Sequence, residues 1–158
     1  MSRYYDAEPE VYNLMDDIVH ERFGNTLSAA TIKILMDSKT KIDKLTQRMT
    51  FASIKCTNDV EKFLSRDGHN LAGIDYIIFL SDLVWELANE KDKSRILSHE
   101  LRHAFLDEKG NYKVVRHDIE DFYAEVELNK DDPMWGQALS VVAVAKVEQI
   151  KAEAKANR

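Results

Sequence analysis

The stretch "RILSHELRHAFLDE", residues 95–108, sets two histidines four apart with a glutamate directly after the first. On an α-helix, residues four apart differ by about 40° around the axis, so His99 and His103 project from one face, one turn apart. That separation lets two imidazoles reach one Zn²⁺ ion at about 2.0–2.1 Å each. Glu100 lies about 100° round from His99, too far to complete the same clamp yet near enough to meet a water on the ion. The spacing divides the labour into two ligands and one general base. Leu97, Leu101, Ala104 and Phe105 form the expected buried stripe of this helix, which is read as starting after "KDKS" and running to about Glu108.

A catalytic zinc keeps three protein ligands and one open position, so a third ligand is expected downstream. The extended HExxHxxGxxH pattern does not continue here, because Leu106 and Lys109 stand where its glycine and histidine belong. "RHDIEDF" (116–122) follows instead. His117 is the leading candidate, since imidazole suits zinc and the connector is long enough to fold back over the first two ligands. Glu120 is the alternative third ligand. Asp118 reads as a helix cap or as an acceptor for a ligand N–H, of the kind that fixes ring tautomer. Tyr112 and Tyr123 flank the segment and are candidate donors to a developing oxyanion.

Outward from this centre, "PEVYNLMDDIVHERF" (9–23) has helical spacing and a stop at Gly24-Asn25. "TIKILM" (31–36), "RMTFASIKC" (48–56) and "IDYIIFL" (74–80) read as strands. "NDVEKFLS" (58–65) and "DLVWELANE" (82–90) read as helices, the latter capped by Ser81 or Asp82. "YKVV" (112–115) is a short strand or connector, 118–128 a helix, and Asp132 onward a long last helix whose end from about residue 145 is charged and frayed. A small sheet followed by a helical block gives the class α+β. One domain over residues 1–158 is expected.

The chain carries a formal net charge of −6 and one cysteine, Cys56. The acidic balance argues against wholesale coating of nucleic acid or an anionic membrane. A lone cysteine permits no intrachain disulfide, and Cys56 reads as a half-buried strand residue. No apolar run approaches a membrane span, and the acidic, aromatic start lacks the regions of a signal peptide, so a cytoplasmic setting is expected. Lys39, Lys41 and Lys44 read as a solvated loop, and His20 and His69 as surface residues.

Residues 74–127, containing "IDYIIFLSDLVWELANEKDKSRILSHELRHAFLDEKGNYKVVRHDIEDF", resemble the phage metallopeptidase family. That family pairs an apolar strand, a Trp-bearing helix, an HELxH helix and a downstream His-Asp-x-x-x-Phe. The resemblance implies a zincin-like fold with His99, His103 and His117 as zinc ligands and Glu100 as base. It also implies a protein or peptide substrate laid along an edge strand at Ile74, Tyr76 and Ile78, and a phage-encoded protein acting in the host cytoplasm. SprT-like proteases are similar in class only, because Asp118 replaces their glycine and one more residue precedes Phe122. The function expected is zinc-dependent peptide-bond hydrolysis through a metal-activated water. A zinc-stabilised binding protein that sequesters a host factor without cleaving it is the alternative.

Overall fold

The computed structural model describes residues 2–117 and 122–157. In chain order they form β1 (Tyr4–Asp6), α1 (Pro9–Arg22), β2 (Ile32–Asp37), β3 (Ala52–Cys56), α2 (Asp59–Leu64), β4 (Tyr76–Ser81), α3 (Asp82–Leu87), α4 (Glu90–Arg102), β5 (Ala104–Leu106), β6 (Tyr112–Val114), α5 (Tyr123–Leu128) and α6 (Trp135–Ala156). The class is α+β, with a C-terminal helical block. No helix among the described residues is long and apolar enough to cross a membrane.

The main sheet runs β1-β2-β4-β3. Its centre is the parallel pair β2 and β4, in the register Ile32↔Tyr76, Ile34↔Ile78, Met36↔Leu80. Alternation along each strand sends these six side chains to one face, and all six are buried. They share a core cluster with Val11, Met15 and Ile18 of α1 and with Leu97 and Leu101 of α4. β1 closes one edge antiparallel to β2 and is held there by Arg3, whose Nε and Nη2 donate to the two carboxylate oxygens of Asp37 at 2.8 and 2.7 Å. This strand is absent from the sequence reading. β3 closes the other edge, antiparallel to β4.

Both ends of α4 differ from expectation. α4 begins at Glu90, because Asn89 accepts from the Asp92 amide at 2.8 Å and so caps a helix that includes "KDKS". α4 also ends at Arg102 and not near Glu108: the chain turns into a second sheet, the antiparallel hairpin β5–β6. Asp107 builds its turn, Oδ1 accepting from the amides of Lys109 and Asn111 at 2.9 and 2.8 Å, while Gly110 takes φ +79°. Consequently Phe105 is a strand residue, 45% exposed, and only Leu97 and Leu101 of the expected stripe are fully buried. The last helix runs Trp135–Ala156, with Val147 its last buried residue.

The hairpin is fastened to the sheet by Tyr76. Its hydroxyl lies 3.1 Å from the Phe105 carbonyl and 2.8 Å from that of Lys113, and the ring is fully buried. Burial pushes the Tyr76 hydroxyl up to about 12, so it stays a donor. Tyr76→Phe is expected to lower stability by about 0.5–1.5 kcal/mol, because the hydroxyl's hydrogen bonding to the hairpin carbonyls is lost. Denaturant unfolding with an unchanged m-value would register it.

Candidate metal centre

α4 delivers the first part of the site. Leu97 and Leu101 turn fully inward and fix the rotation of the helix, leaving His99 and His103 half-buried on an adjoining stripe. Their ring centroids are 5.3 Å apart, the one-turn spacing of the sequence motif.

The hairpin delivers the second part. Val115, the residue after β6, donates its amide to the His103 carbonyl at 2.7 Å, and its own carbonyl lies 2.7 Å from His103 Nδ1. A carbonyl can only accept, so Nδ1 carries the proton and Nε2 presents its lone pair. Two residues further on, His117 Nε2 stands 2.9 Å from His99 Nε2. The nitrogen donors of His99, His103 and His117 all lie within 4.8 Å of one another. Tetrahedral zinc with bonds of about 2.0–2.1 Å sets its donors about 3.3 Å apart, so this cluster needs only small ring adjustments to close on an ion. Phe122 packs against all three imidazoles, with centroid distances of 5.5, 4.8 and 5.1 Å to His99, His103 and His117. Its ring is buried and walls the cluster on one side.

Glu100 is 7% exposed, and its carboxylate makes no hydrogen bond among the described residues. Desolvation alone pushes it up to about 7. It opens onto a cleft of about 580 Å³ lined by Ala52, Ser53 and Ile54 on one side and by His99, His103 and Val114–His117 on the other. A buried carboxylate and three convergent imidazoles therefore share one cavity.

Residues 2–153 match the family model described as "Putative phage metallopeptidase". The chain belongs to that family. No curated protein and no solved structure matches it. The name of the phage metallopeptidase family implies a metal ion, and the donor set fits one: three imidazoles, one of them backed by a main-chain carbonyl, as ligating histidines commonly are.

Within this member of the phage metallopeptidase family, the structure brings His99, Glu100, His103 and His117 to one cleft. Asp118 and Glu120 lie outside the described residues, as does the side chain of Tyr123. Tyr112 packs edge-on against Tyr76 at 5.5 Å, and it is not among the residues lining the cleft. Cys56 is a strand residue whose thiol donates to the Tyr112 carbonyl at 3.2 Å, and burial pushes its pKa up. His20 and His69 are exposed. Arg102 pairs with Glu125 at 3.0 Å and lies over the Phe23 ring at 4.6 Å.

The edge-strand assignment is corrected. Tyr76 and Ile78 sit in β4, which is hydrogen-bonded on both sides, to β2 and to β3, while Ile74 precedes the strand. A strand with both ladders filled cannot accept another. The edge beside the histidines is β3. Ser81 N donates to Phe51 O at 2.9 Å and Thr57 N to Asp75 O at 3.0 Å, so residues 51, 53, 55 and 57 turn their main-chain groups towards β4. The amides and carbonyls of Ala52, Ile54 and Cys56 therefore point outward. The sequence reading also missed Val115, which works through its main chain alone, and the packing role of Phe122, although Phe122 closes the family motif.

Proposed function

We propose that this protein is a zinc-dependent peptidase, with His99, His103 and His117 as the ligands and Glu100 as the general base. The observation that carries the reading is the meeting of three imidazole donors within 4.8 Å and a desolvated glutamate, unbonded among the described residues, in the same cleft. A zinc ion held there supplies Lewis acidity and a water acidified towards neutrality. Glu100, buried in the same cleft, would take a proton from the attacking water and return it to the leaving amine. Val115 holds the His103 ring in one tautomer throughout. Phe122 excludes water from the inner side of the imidazoles.

The substrate is an extended peptide segment that adds to the outer edge of β3. Main-chain hydrogen bonds to Ala52 and Ile54 hold it, and the cleft wall selects its side chains. The position of Ala52 makes this testable. Its N–H faces away from β4, so proline there spares the ladder within the protein and removes only the outward donor. Ala52→Pro is expected to lower kcat/KM on an extended substrate by about threefold to tenfold, the worth of one net hydrogen bond of about 0.5–1.5 kcal/mol, with zinc content unchanged. Unaltered kcat/KM would remove β3 from the substrate site.

The proposal itself is tested by metal analysis of the chain purified without chelator and supplied with zinc, followed by proteomic mapping of new protein termini in cells that express it. One zinc per chain and new termini that vanish in the Glu100→Gln variant are expected. A chain that takes up no stoichiometric zinc refutes the assignment.

A further inference from the structure

α5 is a short helix with little hydrophobic anchorage. Ala124, Val126, Glu127 and Leu128 are exposed, and among the described side chains the buried ones are Phe122 at the N-cap and Glu125. Phe122 touches the three imidazoles. Glu125 is 1% exposed, an unusual place for a carboxylate in a six-residue helix. One of its oxygens, Oε1, accepts from Ser98 Oγ at 2.9 Å, from Arg102 Nε at 3.1 Å and from Arg102 Nη2 at 3.0 Å. The other, Oε2, is buried without a partner.

Both donors sit on α4 and flank the metal ligands: Ser98 directly precedes His99, and Arg102 directly precedes His103. Beyond α5 the same stripe of α4 continues with Arg95, which donates to Asn129 at 3.1 Å and to Asp131 at 3.1 Å. Residues 95, 98 and 102 thus form a polar ladder one helical face wide. It ties 125–131 to the helix that carries the first two ligands. The segment bearing the third ligand ends in that tied helix, since His117 is five residues before Phe122.

We infer that Glu125 is a positioning residue of the metal centre: its carboxylate, clamped by Ser98 and Arg102, fixes α5 on α4 and so holds Phe122 and His117 against His99 and His103. The inference rests on the metal reading above. A charge is suited to this task because the described side chains of α5 bury no apolar residue. Directional hydrogen bonds from two neighbours of the ligands specify one seating of α5, where an apolar contact would tolerate sliding.

The test compares four full-length chains: wild type, Glu125→Gln, His117→Ala and the double variant. Zinc affinity is read by competition with a chromogenic chelator, on metal-free protein shown to be folded by circular dichroism. Glu125→Gln is expected to weaken zinc binding by about 10–100-fold, the usual consequence of removing a group that orients a ligand. In the His117→Ala background the same substitution is expected to change nothing further, because the ligand it positions is already gone. A general loss of structure would weaken both backgrounds equally and overturns the inference, as does wild-type affinity in Glu125→Gln. If Glu125→Gln fails to fold, Arg102→Lys, which keeps the cation and loses the guanidinium fork, carries the same pattern with a smaller loss. A wild-type chain that binds no zinc overturns the metal reading and this inference together, whereas tight wild-type binding unaffected by either clamp variant overturns this inference alone.

Discussion

Glu100→Gln is expected to bind zinc as the wild type does and to turn over substrate about 10²–10⁴ times more slowly, the span that a positioned general base contributes. The substitution keeps the shape of the side chain and removes only its ability to take a proton. Glu100 lies about 100° round the helix from His99, so the three imidazole donors are untouched. The fold is also expected to tolerate the change. Glu100 is buried with its carboxylate unbonded among the described residues, so glutamine replaces a desolvated charge without breaking an ion pair. Single-turnover kinetics on a substrate found by terminus mapping, beside metal analysis of the same preparation, separates the two quantities. Wild-type turnover would remove Glu100 from the chemistry. Full biological effect in a variant that no longer cleaves would mark the protein as a zinc-stabilised binder.

How much of this the sequence discloses depends on how local each feature is. The relation of His99, Glu100 and His103 is a property of one helical turn, so it survives any error about the surrounding fold. The hairpin does not have that protection. Leu97, Leu101, Ala104 and Phe105 satisfy a helical period, yet Ala104–Leu106 and Tyr112–Val114 satisfy an alternating one just as well. The choice is made by groups distant in sequence: the Tyr76 hydroxyl on the Phe105 and Lys113 carbonyls, and Val115 bonded both ways to His103.

The edge strand was misassigned for a reason that the sequence does contain. "YIIFLS" is a continuous apolar run, and such runs belong to strands covered on both faces in a sheet interior. β3, with Ser53 and Lys55 between its apolar residues, has the broken pattern that an edge tolerates. β1, three exposed residues long, is too short to show an alternating pattern and is placed by the Arg3–Asp37 fork. Glu125 was beyond reach altogether. "EDFYAEVE" offers four acids of similar standing, and only the approach of Ser98 and Arg102 distinguishes the one that is buried.

The third ligand is where sequence and structure leave the sharpest choice, and His117→Ala is expected to resolve it by lowering zinc affinity more than about 100-fold, beyond the loss that follows from disturbing a group that merely orients a ligand. His117 is exposed, so its removal costs little packing and the chain is expected to unfold at nearly the wild-type denaturant concentration when metal-free. His103→Ala is a harsher comparison, because it also breaks the bond to the Val115 carbonyl that ties the hairpin to the helix end. Glu120→Ala is the decisive companion. A two-histidine, one-carboxylate centre would make its loss equal to that of His117, whereas three imidazoles within 4.8 Å leave it near wild-type affinity. Chelator competition on the two variants side by side assigns the ligand, and a zinc affinity for His117→Ala equal to that of wild type would hand the position to the carboxylate.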